Sequence, residues 1–125
     1  MNKNRIDALI PKAYEALRHS GIVNSKNEIK KTFRGYISSF GASVAMGSLK
    51  SAIAFYSQKS GAVEDRQKLM QIIYCLVSEE AAENVKTVKQ TALFEAVDNG
   101  LTDKDEIYDA AIAIKLAMNM YTLIN

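Results

Sequence analysis

The chain has 125 residues, 48% of them hydrophobic and 24% charged, with a formal net charge of +2. That is the size and balance of one folded domain, 1–125, and it excludes a disordered tail or a low-complexity protein. A single cysteine, Cys75, and a single histidine, His19, exclude a disulfide framework, a cysteine zinc site, a histidine metal pair and a histidine-relayed triad.

Apolar residues recur every three or four positions throughout, and no convincing alternating strand is present, so the chain reads as all-α: a compact single-domain bundle of about five to six helices. The first helix is expected from about Arg5 to His19, with Ile6, Leu9, Ile10, Ala13 and Leu17 in one stripe and Gly21 as a stop. Pro11 lacks an N–H and is expected to kink or restart it. His19, in the last turn, is read as structural.

Ser25-Lys26-Asn27-Glu28 has capping-box spacing, which predicts that the second helix opens there. Ile29, Phe33, Tyr36, Ile37, Phe40 and Val44 then make its apolar face, while Lys30, Lys31, Arg34 and Ser38 share its flank and back. Gly35 and Gly41 suggest close backbone approach, because glycine inside a helix costs about 1 kcal/mol against alanine. A third helix is expected over about Ser48 to Gln58, ended by Ser60-Gly61. A fourth is expected to hold Glu64 and Asp65 in its first turn, with Leu69, Ile72, Ile73 and Leu76 inward and Cys75 flanking as a small core residue. From Ser78 a further helical region is expected through Val85, Val88, Ala92, Leu93 and Ala96 to Asn99-Gly100.

The last helix is predicted to begin near Asp103, with Glu106 as a second capping-box partner. Ile107, Ala111, Ile114, Met118 and Tyr121 form one face; Ile112, Leu116, Met120 and Leu123 form another, interrupted after Asp109 only by Lys115 and Asn119. A helix apolar all round is either the buried centre of a bundle or half of a protein interface.

Charge is unevenly distributed. Residues 1–60 hold 10 Lys/Arg against 3 Asp/Glu; residues 61–125 hold 6 against 11. A nucleic-acid contact on one side produces such a pattern, as does head-to-tail self-association, and so do ordinary solvated helix faces. The acidic group Asp98, Asp103, Asp105, Glu106 and Asp109 has no calcium-loop register and reads as caps and a solvated first turn. Glu79, Glu80 and Glu83 lack the histidines of a carboxylate-bridged metal site, and no Walker or dinucleotide loop is present. The expectation is therefore a protein without catalytic activity, metal or cofactor. The N-terminal residues lead into a charged amphipathic stretch, and the longest charge-free run, Gly35 to Leu49, is short of a membrane span, so a cytoplasmic protein with no membrane partner is expected.

Three segments carry a resemblance. They are Ile10-Pro11-Lys12-Ala13-Tyr14-Glu15, the more specific Arg34-Gly35-Tyr36-Ile37-Ser38-Ser39-Phe40-Gly41-Ala42-Ser43, and Ala54-Phe55-Tyr56-Ser57. In order and spacing the chain resembles the small all-helical (fifth) subunit of the type III-B CRISPR effector, the Cmr complex. The match covers about the first sixty residues; the remainder corresponds only as helices of suitable length. The resemblance implies a non-catalytic subunit of antiviral defence that stacks in several copies as a minor filament beside the guide-bearing backbone and helps hold the guide RNA–target RNA duplex. Its partners would be other effector subunits, further copies of itself, and guide and target RNA, with no small-molecule substrate.

Phosphate contacts by cations and hydroxyls suit a duplex held without sequence choice. Lys30, Lys31, Arg34 and Ser38 fit that role, and Lys50, a departure from the apolar or proline residue expected after Gly47, is either a further phosphate contact or simply exposed. Ile112, Leu116, Met120 and Leu123 are the candidate subunit interface. A helical DNA-binding regulator, which needs a helix–turn–helix with Arg, Asn or Gln opening the recognition helix, and a plain protein-interaction module are the alternatives.

Overall fold

The computed structural model describes residues 1–58 and 64–125. Among these, six α-helices assemble on one continuous hydrophobic core: α1 Lys3–His19, α2 Lys31–Ala45, α3 Leu49–Tyr56, α4 Gln67–Val77, α5 Ala92–Asp98 and α6 Lys104–Ala117. Helix α6 is the centre, and α1 and α2 both lie along it. The all-helical reading therefore holds, with one addition.

That addition is a two-stranded parallel sheet. β1 (Glu28–Lys30) pairs with β2 (Thr122–Ile124), Ile29 opposite Leu123. It replaces the first turn expected of the second helix. Ser25 caps nothing there; instead the Asn24 side-chain oxygen accepts from the backbone N–H of Lys26 (2.9 Å) and of Glu28 (3.0 Å). Asn27 takes φ of 59°, which turns the chain into an extended segment. Three residues with only Ile29 buried are too few to print an alternating pattern. Helix α2 thus starts at Lys31, and Lys30 lies on the strand that precedes it.

Pro11 does not interrupt α1, which is continuous from Lys3 to His19. Pro11 and Asp7, one turn earlier, are both on the exposed side, so the carbonyl that loses its helical partner is left to water. Between α4 and α5 the expected long helical region is broken: a 3-10 helix spans Ala82–Thr87, and Val88 is extended at φ −66°, ψ 130°. Val85 and Val88 are both buried, a spacing that suits about three residues per turn, and the Val88 carbonyl is taken by the Gln71 amide at 2.8 Å. Gly100, at φ +72°, ends α5 as expected. The expected stop at Ser60-Gly61 lies outside the described residues.

The N-terminus of α6 is as read: the Asp103 carboxylate accepts from the Glu106 N–H at 2.9 Å. Glu106 reaches Thr102 rather than closing the box. The helix ends at Ala117, followed by a 3-10 turn, Met118–Met120, before β2. Asp109 is a correction to the solvated-turn reading. It is fully buried and is held by Arg5, whose Nη2 and Nε lie 2.7 and 2.8 Å from its carboxylate, and by the backbone N–H of Asn2. The same bond holds the Arg5 guanidinium above its ordinary range.

Candidate nucleic-acid interface

Helix α2 buries Phe33, Ile37, Phe40 and Val44 at helical spacing, which fixes the opposite edge outward. On the flank, about 100° round from that stripe, the half-buried Arg34 and Ser38 approach α6. A groove of about 250 Å³ runs between the two helices, bordered by Ser38, Gly41 and Ala42 on α2 and by Tyr108, Ile112 and Lys115 on α6. Arg34 donates to the Asn119 side-chain oxygen beyond the end of α6 and so closes one end. Lys31 is exposed one turn before Ser38's neighbour Arg34, at the start of the helix. Among the described residues no carboxylate lies within ion-pair distance of Lys31, Arg34 or Lys115.

The other two candidate cations are placed differently. Lys30 is ion-paired with Glu64 at 3.1 Å, and Lys50 with Asp98 at 3.2 Å. Each pair joins the basic half of the chain to the acidic half, as Arg5–Asp109 does. Lys12, from the first motif segment, donates to the carbonyls of Cys75 (2.7 Å) and Ser78 (3.4 Å) at the end of α4, where a cation complements the helix dipole. Much of the charge asymmetry is thus closed inside the molecule. The five expected RNA contacts divide into Ser38 on the groove, Arg34 bonded to Asn119 near its end, Lys31 exposed at the start of α2, and Lys30 and Lys50 engaged by carboxylates.

The motif residues are mainly packing residues. Tyr56 meets Phe40 edge-on at 5.4 Å and Tyr36 at 6.5 Å, so the second and third segments join each other. Tyr14 of the first segment stacks on Tyr121 at 4.8 Å and accepts the Tyr121 hydroxyl on its carbonyl; burial, with Tyr14 beside it, pushes the Tyr121 phenol up. Gly41 faces Ala111, but a Cβ there would sit 3.9 Å away, an ordinary contact. Gly35 has no neighbour within 4 Å, so close approach does not explain it.

Of the expected subunit interface, Leu116 is 42% and Met120 70% exposed, while Ile112 is half-buried beside the groove and Leu123 is drawn into β2 against the core. In the last helix and the turn after it, Ile107, Ala111, Ile114, Met118 and Tyr121 are buried, as a bundle centre requires, while Leu116 and Met120 are open.

Lys115, Asn119 and Tyr108 were not among the expected contacts. The signal for the first two was in the sequence, as the only breaks in the apolar belt after Asp109, four residues apart and so on one helix face. No group of three or more His, Cys, Asp or Glu side chains that could hold a metal occurs among the described residues. Cys75 is fully buried, and burial pushes its thiol up to about 11, which leaves it protonated at neutral pH. No described helix is long and apolar enough to cross a membrane. No family model, curated protein or solved structure matches the chain.

Proposed function

We propose that this chain is a non-catalytic small subunit of a Cmr-type, RNA-guided CRISPR effector, acting in the cytoplasm, and that it holds the guide RNA–target RNA duplex along the α2–α6 groove. The observation that carries the reading is the position of Arg34 and Ser38. They belong to the most specific motif segment yet lie outside its buried stripe; Ser38 borders the groove with the unpaired cation Lys115, and Arg34 is hydrogen-bonded to Asn119 beyond the end of α6. Cations without internal partners remain available for phosphates, and hydroxyls beside them suit contacts to a sugar–phosphate backbone. Leu116 and Met120, exposed on the same helix as Lys115 and just beyond it, would meet a neighbouring subunit or a further copy.

The DNA-regulator alternative loses support from the local geometry. Helix α2 follows a strand, and α3, which does follow a short turn from α2, carries no Arg, Asn or Gln. The internal closure of charge is what favours the second reading, a protein-interaction module.

Gentle purification of the tagged chain from its own host tests the proposal. Short repeat-derived guide RNAs and larger effector subunits are expected to accompany it. Recovery of the chain without guide RNA or those partners would overturn the effector reading and leave the interaction module.

A further inference from the structure

The chain has four arginines, Arg5, Arg18, Arg34 and Arg66. A guanidinium is a planar fork of donors with no acceptor, and the two N–H groups of its Nε–Nη2 edge match a carboxylate or a phosphate side-on. Arg5 commits that edge to Asp109, through Nε at 2.8 Å and Nη2 at 2.7 Å. Arg18 commits the same edge to Glu15, at 3.3 and 2.7 Å. Arg66 is buried, its guanidinium 4.1 Å from the centre of the Phe55 ring.

Arg34 differs from all three. It donates through Nη1 to the side-chain oxygen of Asn119, and among the described residues its Nε and Nη2 have no partner. A neutral amide oxygen holds the head group in place without cancelling its charge, as a carboxylate would.

The bond joins residues 85 apart, and the small parallel sheet is what brings them together. β1 leads directly into α2 at Lys31, which puts Arg34 in the opening turn of that helix, and β2 begins three residues after Asn119. The Thr122 N–H donates to the Asn27 carbonyl at 3.0 Å, Tyr121 stacks on Tyr14, and Met118 is fully buried, so the turn that carries Asn119 is fixed on both sides.

We propose that Asn119 is a positioning residue: it pins Arg34 by Nη1 so that the Nε–Nη2 edge meets one phosphate of the RNA backbone side-on, with β1 and β2 as the strap that sets the bond. The inference rests on the effector reading and adds a division of roles to it. Lys31 and Lys115, point charges on flexible stems, attract phosphates without fixing them, whereas Arg34 gives one phosphate a defined place beside α2.

The 15N-labelled full chain and the complex purified with it test the inference together. In the free chain the Arg34 Nε–H resonance should move toward that of an unrestrained arginine in Asn119→Ala, while the backbone amides stay dispersed. In the complex, Asn119→Asp keeps the shape of the acceptor but cancels the charge, so target-RNA binding should weaken about tenfold and its salt slope fall by about one. Asn119→Ala keeps the charge and removes the hold, so binding should weaken about two- to tenfold with the slope unchanged. Parental binding by both Asn119 variants, an unmoved Arg34 resonance, or a parental slope in Asn119→Asp would each overturn the inference and leave the effector reading standing. A complex without guide RNA, or undiminished target binding by Lys31→Ala/Arg34→Ala/Lys115→Ala, would overturn that reading and the inference with it.

Discussion

Lys30 and Lys31 are adjacent in the chain, and the fold treats them in opposite ways. At the edge formed by β1 and the approach to α4, Lys30 meets Glu64; across the α3–α5 edge, Lys50 meets Asp98. One residue after Lys30 the chain becomes α2; Lys31 at its start and Lys115 on the α2–α6 groove have no such carboxylate, while Arg34 is tied only to the neutral Asn119. A cluster of positive charge in sequence is therefore two populations in space. Lys30 and Lys50 are neutralised locally, whereas Arg34 and Lys115 lie where the neighbouring residues Ile112 and Asn119 supply no carboxylate.

The largest expected effect comes from destroying the platform on which the groove is built. Phe40→Ala removes a fully buried ring that joins α2 to Tyr56, and should cost about 3–5 kcal/mol in urea unfolding. A loss below about 1 kcal/mol would mean that the α2 core face is not packed as described.

Next is the comparison itself. On the proposed effector reading, Lys31→Ala/Arg34→Ala/Lys115→Ala should leave the fold intact, weaken target-RNA binding by the assembled complex by tenfold or more, and reduce its salt slope by up to about three. Lys30→Ala/Lys50→Ala should do much less to both quantities. Equal effects from the two variants would erase the distinction between groove and edges.

Leu116→Lys/Met120→Lys addresses the exposed part of the last helix. Its unfolding free energy should change by no more than about 0.5 kcal/mol per site, while, on the proposed effector reading, the copy number of this chain in the purified complex falls. Unchanged stoichiometry would move the subunit contact elsewhere.

A smaller effect concerns pH. Burial raises the Cys75 thiol from 9.0 to about 11, so the unfolded chain ionises first as pH rises and the folded chain holds its proton. Stability contributed by the neutral buried thiol is complete below pH 9 and declines between 9 and 11. Cys75→Ala should make the unfolding profile flatter over that window; a profile parallel to the parent chain would show that other groups govern the decline. Smallest of all is the exposed Lys30–Glu64 pair, for which a double-mutant cycle should return about 0.2–1 kcal/mol.

Helical periodicity was legible because each helix repeats its apolar spacing over several turns: Phe33, Ile37, Phe40 and Val44 on α2, and Ile107, Ala111 and Ile114 on α6, are buried where spacing placed them. Local chemistry was legible where one residue acts on its own backbone, as Asp103 and Gly100 do. The capping-box spacing at Ser25 misled because Asn24 competes for the same N–H groups, and because the strand it leads to exists only through pairing with residues at the other end of the chain. Arg34 and Ser38 were visible as candidates from their flank of the helix. Lys115 and Asn119 became part of the same groove only when α6 was laid beside α2.

What the sequence determined by itself is therefore what lies within one or two helical turns: the helical class, the inward stripes, the Asp103 cap and the small supply of chemically reactive side chains. The tertiary structure decided which charges are free. Asp109, in the first turns of α6, became a buried partner of Arg5, and Lys50 was claimed by Asp98, across separations of 104 and 48 residues. Ion pairing depends on distance in space, and a sequence records distance only along the chain.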